Sequence, residues 1–166
     1  MTVVSSEKDL DKLTLTFTAE FPASIDRVWQ VWEDPRQLER WWGPPTVPAT
    51  FVRHELRPGT RSDYYMTVPG GDRAHGWWGI VEVDAPTSLA VDLGFSDSDG
   101  EPTGDAPSRM SVTLSEDDGV TRMTSTTQFI SLDQLERMVE MGMEEGLRLA
   151  MGQIDALLAE DSRQNA

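Results

Sequence analysis

Leu13, Leu15, Phe17, Ala19 and Phe21 alternate with Thr14, Thr16, Thr18 and Glu20. A period of two puts every apolar side chain on one face of an extended chain, which predicts a half-buried first strand. Pro22 ends it. Ser24 stands where an N-cap belongs and Asp26 falls in the first turn. Ile25, Val28, Trp29 and Trp32 then recur at helical spacing, predicting a short helix. Asp34-Pro35 breaks that helix and starts a second, with proline in the first turn and Leu38, Trp41 and Trp42 near its end, before Gly43-Pro44-Pro45.

From Ala49 to Phe129 the pattern predicts strands at about 49–56, 61–68, 75–84, 88–95, 108–116 and 120–129, divided by Pro-Gly, Gly-Gly, Ala-Pro and Asp-Gly turn signals. Links this short imply antiparallel pairing. The clearest hairpin sets Met110, Val112 and Leu114 against a return strand carrying Met123 and Phe129, around Asp117-Asp118-Gly119. Ser96 to Pro107 is rich in Ser, Asp, Gly and Pro without periodicity and reads as a long exposed loop. Ser131, with Gln134 three residues on, caps a long helix. Its apolar stripe runs from Leu132 through Met138, Gly142, Gly146 and Ile154 to Leu158. Such a stripe needs a wide partner, and the sheet is the one available. The expected architecture is α+β: a helix-grip fold whose curved antiparallel sheet wraps around the long C-terminal helix, with two short helices after the first strand. Residues 1–12 read as an N-terminal extension, 13–160 as the domain and 161–166 as a polar tail.

A chain of 166 residues fits one domain of this kind. No apolar run is long enough to span a bilayer, and Glu7, Lys8 and Asp9 occupy the place of a signal peptide's apolar core, so a cytoplasmic protein is expected. The net charge of -15 repels phosphate backbones and anionic lipid, which argues against nucleic acid and membrane as partners. Cysteine is absent, removing disulfides, thiolate metal sites and a cysteine nucleophile.

The segment Phe21-Pro22-Ala23-Ser24-Ile25-Asp26-Arg27-Val28-Trp29-Gln30-Val31-Trp32, followed by Pro35, Leu38 and Trp41-Trp42-Gly43-Pro44, resembles the opening of the activator of heat-shock-90 ATPase homologue family, within the START-like or SRPBCC superfamily. Arg57-Pro58-Gly59 with Tyr64, and His75-Gly76-Trp77-Trp78-Gly79 with Val81-Glu82-Val83, are similar to later family strands. Thr60 stands where a second glycine is usual, and Glu145-Gly146-Leu147 where many relatives carry Gly-Trp. The resemblance covers about residues 13–160. It implies the helix-grip fold and a small hydrophobic or aromatic guest between sheet and C-terminal helix.

The expected cavity-lining set is Trp41, Trp42, Tyr64, Met66, Trp77, Gly79, Leu93, Met110, Met138, Gly142 and Gly146. Gly142 and Gly146 each cost about 0.8–1.0 kcal/mol relative to alanine in a helix interior, which suggests close packing or room for a guest. Methionine thioethers adapt to varied apolar surfaces, in a core or around a ligand. Trp77 and Trp78 are neighbours on a strand and point to opposite faces, so only one can line the cavity; Trp77 is counted with the lining set. His54 shares an alternating set with Val52 and Leu56, and His75 opens a strand. Neither histidine has a ligand partner at metal-like spacing, so both read as structural, with no metal and no cofactor expected. No phosphate-binding glycine loop, Gly-x-Ser-x-Gly elbow or His-Glu-x-x-His helix is present.

The leading expectation is therefore a binding module for a small apolar molecule, without catalysis. One alternative is a cyclase, dehydratase or hydrolase using Tyr64, His54 or His75 as acid or base. The other is a protein-interaction module of the chaperone-regulator type. The first strand reads as an exposed edge that could pair with another chain, and the resemblance implies a weak homodimer.

Overall fold

The computed structural model describes residues 4–43 and 45–164; Met1 to Val3, Pro44, Asn165 and Ala166 lie outside the described residues. The chain order is β1 (Val4–Asp9), β2 (Thr14–Phe21), α1 (Ile25–Glu33), α2 (Pro35–Trp41), β3 (Ala49–Arg53), β4 (Arg61–Thr67), β5 (Arg73–Asp84), β6 (Ser88–Ser96), β7 (Pro102–Asp117), β8 (Val120–Gln128), α3 (Leu132–Glu140) and α4 (Met143–Gln164). The strands form one 8-stranded antiparallel sheet in the order β1-β2-β8-β7-β6-β5-β4-β3. It is the curved sheet of a helix-grip fold. Among the described residues no helix is long and apolar enough to cross a membrane.

The alternation of β2 is realised directly, with Leu15, Phe17, Ala19 and Phe21 all buried on the face covered by helices. Ser24 Oγ accepts the Arg27 N–H and Asp34 Oδ1 accepts the Arg36 N–H, so each short helix has its N-cap. Val28, Trp29, Val31 and Trp32 of α1 and Leu38 and Trp41 of α2 supply the buried faces. α4 rests on β1, β2, α1 and α2, inserting Ala150, Met151, Ile154 and Leu157 into the core.

Three expectations change. The segment read as an N-terminal extension supplies β1, which pairs with β2 from Val4↔Ala19 to Asp9↔Thr14. It is polar from Ser5 to Asp9, so hydrophobic patterning does not reveal it. Backbone pairing and contacts to α4 hold it, including Ser6 Oγ to Glu144 Oε2 at 3.0 Å and a hydrogen bond from Arg148 to Ser6 Oγ. The strand beginning the sequence pattern is thus paired on both sides, and its edge is not free to join another chain. The exposed loop expected over Ser96 to Pro107 shrinks to a turn closed by Asp97 and Glu101, because β7 already starts at Pro102. A register shift opposite Leu93 and Phe95 absorbs the proline- and glycine-containing stretch as a bulge. Finally, the single long helix is two. Gly142 at φ 91° turns the chain between α3 and α4, a left-handed conformation that glycine adopts without penalty.

Both outer strands have their free edges managed. β1 presents Glu7, Lys8 and Asp9. On β3, the Phe51 N–H donates to Glu39 Oε2 at 3.0 Å and its carbonyl accepts from Arg36 at 2.8 Å, so α2 side chains occupy the backbone groups that another strand would use.

Candidate functional site

The helix pair and the β3–β5 side of the sheet meet in a block of aromatic rings. Trp32 contacts Trp41 edge-on at 4.7 Å between centroids, Trp42 contacts Trp78 at 4.8 Å, and Phe51 stacks on Tyr64 at 4.9 Å. His54 closes the block. Its ring lies 5.7 Å from Trp78 and 5.4 Å from Phe51. Nε2 is 2.8 Å from the Trp32 carbonyl, which can only accept, so the proton sits on Nε2 and Nδ1 accepts from Ser62 Oγ at 2.7 Å. Burial lowers the His54 pKa below 6.5, against the opposing pull of the Trp32 carbonyl and of the Asp34 and Glu33 charges. A register shift between Phe51 and Arg53 turns His54 inward with Phe51 and leaves Val52 71% exposed, so the alternation expected through Val52, His54 and Leu56 is broken at the bulge.

Beyond this block, between β4–β8 and the α3–α4 junction, lies a cavity of about 260 Å³. Trp42, Tyr64 and Met66 form one wall, Leu93 and Met110 the floor, and Met138, Gly142 and Gly146 the helical roof. These members of the expected lining set come together from three strands, the end of α2, α3, α4 and the turn between the last two. Further lining residues are Gly94, Phe95, Thr127, Met141, Met143 and Leu147. Phe95 and Met141, 45% and 70% exposed, stand at the rim.

Three members of the expected set lie elsewhere. Trp41 is wholly buried behind Trp42, its indole N–H donating to the Val31 carbonyl at 2.8 Å. Trp77 faces the opposite side of the sheet, because strand alternation gives the inward position to Trp78, which is fully buried. The Trp77 ring lies across Gly79 and Gly94, within 3.2 Å and 3.0 Å of where their Cβ atoms would be, with the Arg61 guanidinium 5.3 Å from its centroid. Gly79 therefore makes room for Trp77 on that outer face and not for a guest.

Among the described lining residues the polar groups are few and uncharged. Tyr64 reaches over Gly76, its register partner, where a Cβ would stand only 2.5 Å from the phenol Cζ and Oη. Burial raises the Tyr64 pKa above its ordinary value of 10.0, while the nearby Trp42 N–H favours the ionised form and opposes the rise. That N–H does not attain hydrogen-bond geometry and Trp42 Nε1 is left buried without a partner, although Trp42 is only 6% exposed. Thr127 adds a hydroxyl from β8. It was legible in principle, since Met123, Ser125 and Thr127 share one face of an alternating strand. The rim residues and Gly94 carry no such signal. Neither histidine reaches the cavity: His54 is sealed behind Trp78, and His75 lies beside Tyr65, at 5.8 Å between rings, along a groove with Arg73 and Ser96. Among the described residues no cluster of three or more His, Asp or Glu side chains could hold a metal ion.

Residues 22–159 match the family described as Activator of Hsp90 ATPase homolog 1-like protein. The chain belongs to that family. A solved protein from Arthrobacter aurescens is 50% identical, with a TM-score of 0.91 over 95% of this chain and 92% of the other. Protein Ms6760 from Mycobacterium smegmatis is 47% identical, with a TM-score of 0.87 over 94% of this chain and 97% of that one. A Staphylococcus epidermidis protein at 25% identity reaches a TM-score of 0.82 over 95% and 94% of the two chains. No curated protein matches the chain. Membership of this START-like family supports a ligand-binding or regulatory module in general.

Proposed function

We propose that the protein holds a small apolar or aromatic molecule in the cavity between the sheet and the α3–α4 junction, and that this binding needs no catalysis. The observation that carries the reading is the composition of the wall. A cavity of about 260 Å³ is surrounded by methionine, leucine, aromatic and glycine residues and one threonine, with Tyr64 the one titratable side chain among the described lining residues. Sites for small organic molecules are commonly concave, mostly apolar and provided with a few polar groups that orient the guest. Acid–base chemistry would need a partner for Tyr64, and burial keeps its phenol protonated at neutral pH.

Native mass spectrometry of freshly purified protein, looking for a retained organic molecule, tests the reading directly. Gly146→Leu places four extra carbons on the roof and is expected to lower the affinity of apolar fluorescent probes at least tenfold. Unchanged affinity with the fold intact would remove the cavity as the binding site.

A further inference from the structure

The cavity's polar groups are unbalanced in a way that constrains its occupant. Trp42 Nε1–H is a pure donor and has no acceptor in hydrogen-bond geometry, though the residue is almost completely buried. The hydroxyl beside it belongs to Tyr64, whose phenol end lies over Gly76, where there is no side chain. With an indole N–H approaching the phenol oxygen, the phenol's own proton is the group left to be directed at a guest. Donors therefore outnumber acceptors at this end, and a buried donor without a partner is costly. Among the described residues no cationic side chain lines the space, so an anionic guest would bring a charge that none of them neutralises. Size adds a further limit. An apolar cavity of about 150 Å³ holds benzene. By proportion, the present volume of about 260 Å³ suits roughly ten non-hydrogen atoms.

Resting on the binding reading above, we infer that the cavity selects a neutral, compact guest of about two fused rings that carries a carbonyl-type acceptor oxygen, received by the Tyr64 hydroxyl next to Trp42 Nε1. The apolar body of the guest then lies along Met66, Leu93 and Met110 toward Met138. Thr127, which can donate or accept, stands on the far side of Met110 and does not select between a ketone and a hydrocarbon as a surplus donor does.

Three probes of similar shape separate the possibilities: tetralin, 1-tetralone and 1-naphthoate, titrated into the intact protein and followed by amide and indole N–H chemical shifts. In the parent protein 1-tetralone should bind about 3- to 10-fold more tightly than tetralin, the range a net hydrogen bond provides. It should also move the Trp42 indole signal. In Tyr64→Phe the two neutral probes should come within about twofold of each other, with tetralin's affinity nearly unchanged. Equal affinities in the parent would overturn the acceptor inference while leaving apolar binding intact, and this comparison does not depend on any variant folding. A ketone preference that survives Tyr64→Phe would remove Tyr64 from the role. Naphthoate binding as tightly as tetralone would overturn the requirement for a neutral guest. If neither neutral probe shifts cavity residues, the binding reading itself falls and this inference with it.

Discussion

Gly76→Ala is a sensitive probe of how the cavity is built. A Cβ at that position would sit 2.5 Å from both Cζ and Oη of Tyr64 and 3.0 Å from Cε1. Normal contact requires a retreat of about 1 Å, to about 3.5 Å. The colliding atoms are the far end of a side chain, not backbone. Retreat of that end needs only a small torsional change, and even a deviation of about 30° costs of order 0.5–1.5 kcal/mol. Burying one more methyl contributes about 0.8 kcal/mol in the other direction. The two effects nearly cancel, so stability should change by less than about 1 kcal/mol, or less than about 4 °C in Tm for a chain of this size. Ligand recognition should change far more. Retreat from the new methyl displaces the hydroxyl, and a shift of about 1 Å takes a hydroxyl out of the 2.5–3.0 Å range of an O–H···O bond. Thermal unfolding by circular dichroism, together with titrations of 1-tetralone and tetralin, checks both halves. A fall in Tm of more than about 10 °C would show that the phenol is locked over Gly76, and an unaltered ketone preference would show that its position does not govern recognition.

Gly43→Ala provides the contrasting case, because its Cβ would lie 2.0 Å from the Val47 carbonyl oxygen, a backbone atom that cannot swing aside; a loss of about 3 kcal/mol or more is expected from chemical denaturation. Gly142→Ala meets no atom within 4 Å but must hold φ at 91°, so it should cost roughly 1–2 kcal/mol at the α3–α4 turn, and Gly142→Asn noticeably less, in the same assay. His54 is neutral in the fold with a pKa below the unfolded 6.5, so its contribution is complete above about pH 6.5 and is lost as pH falls from there through the folded value. Urea midpoints between pH 8 and pH 5 should decline in the parent and be flatter over that window in His54→Gln. Ser24→Ala removes the acceptor of the Arg27 N–H and should cost about 1 kcal/mol of global stability in urea unfolding.

What was legible in the sequence is what side-chain periodicity encodes. β2, the caps at Ser24 and Ser131, the helix pair and the apolar stripe on α4 all follow from local patterns that the fold leaves intact. Trp42, Tyr64, Met66, Leu93 and Met110 line the same cavity, and each lies on or beside an element that local spacing predicts. The errors share one cause, which is backbone geometry that no side chain announces. β1 is held by main-chain pairing and a few polar contacts, so its sequence reads as a tail. The bulge after Phe51 reverses the phase of β3 and sends His54 inward. Trp77 and Trp78 are equivalent to a pattern reader, and only the phase of β5 against β4, set at Ser62↔Trp78, decides between them. Gly142 looked like an interior helix glycine at regular spacing, but its positive φ makes it a joint.

The thioether wall also gives the cavity a chemistry of its own. Met66, Met110, Met138, Met141 and Met143 surround the space, and Met141 at the rim is 70% exposed. Peroxide converts a methionine to its sulfoxide, replacing a flexible apolar end with a strongly polar, hydrogen-bond-accepting one. Met141 should be oxidised first, and Met110, 1% exposed on the floor, last. A sulfoxide within reach of Tyr64 would offer an acceptor inside the cavity itself, so progressive oxidation would make the wall more polar and is expected to weaken the binding of apolar probes.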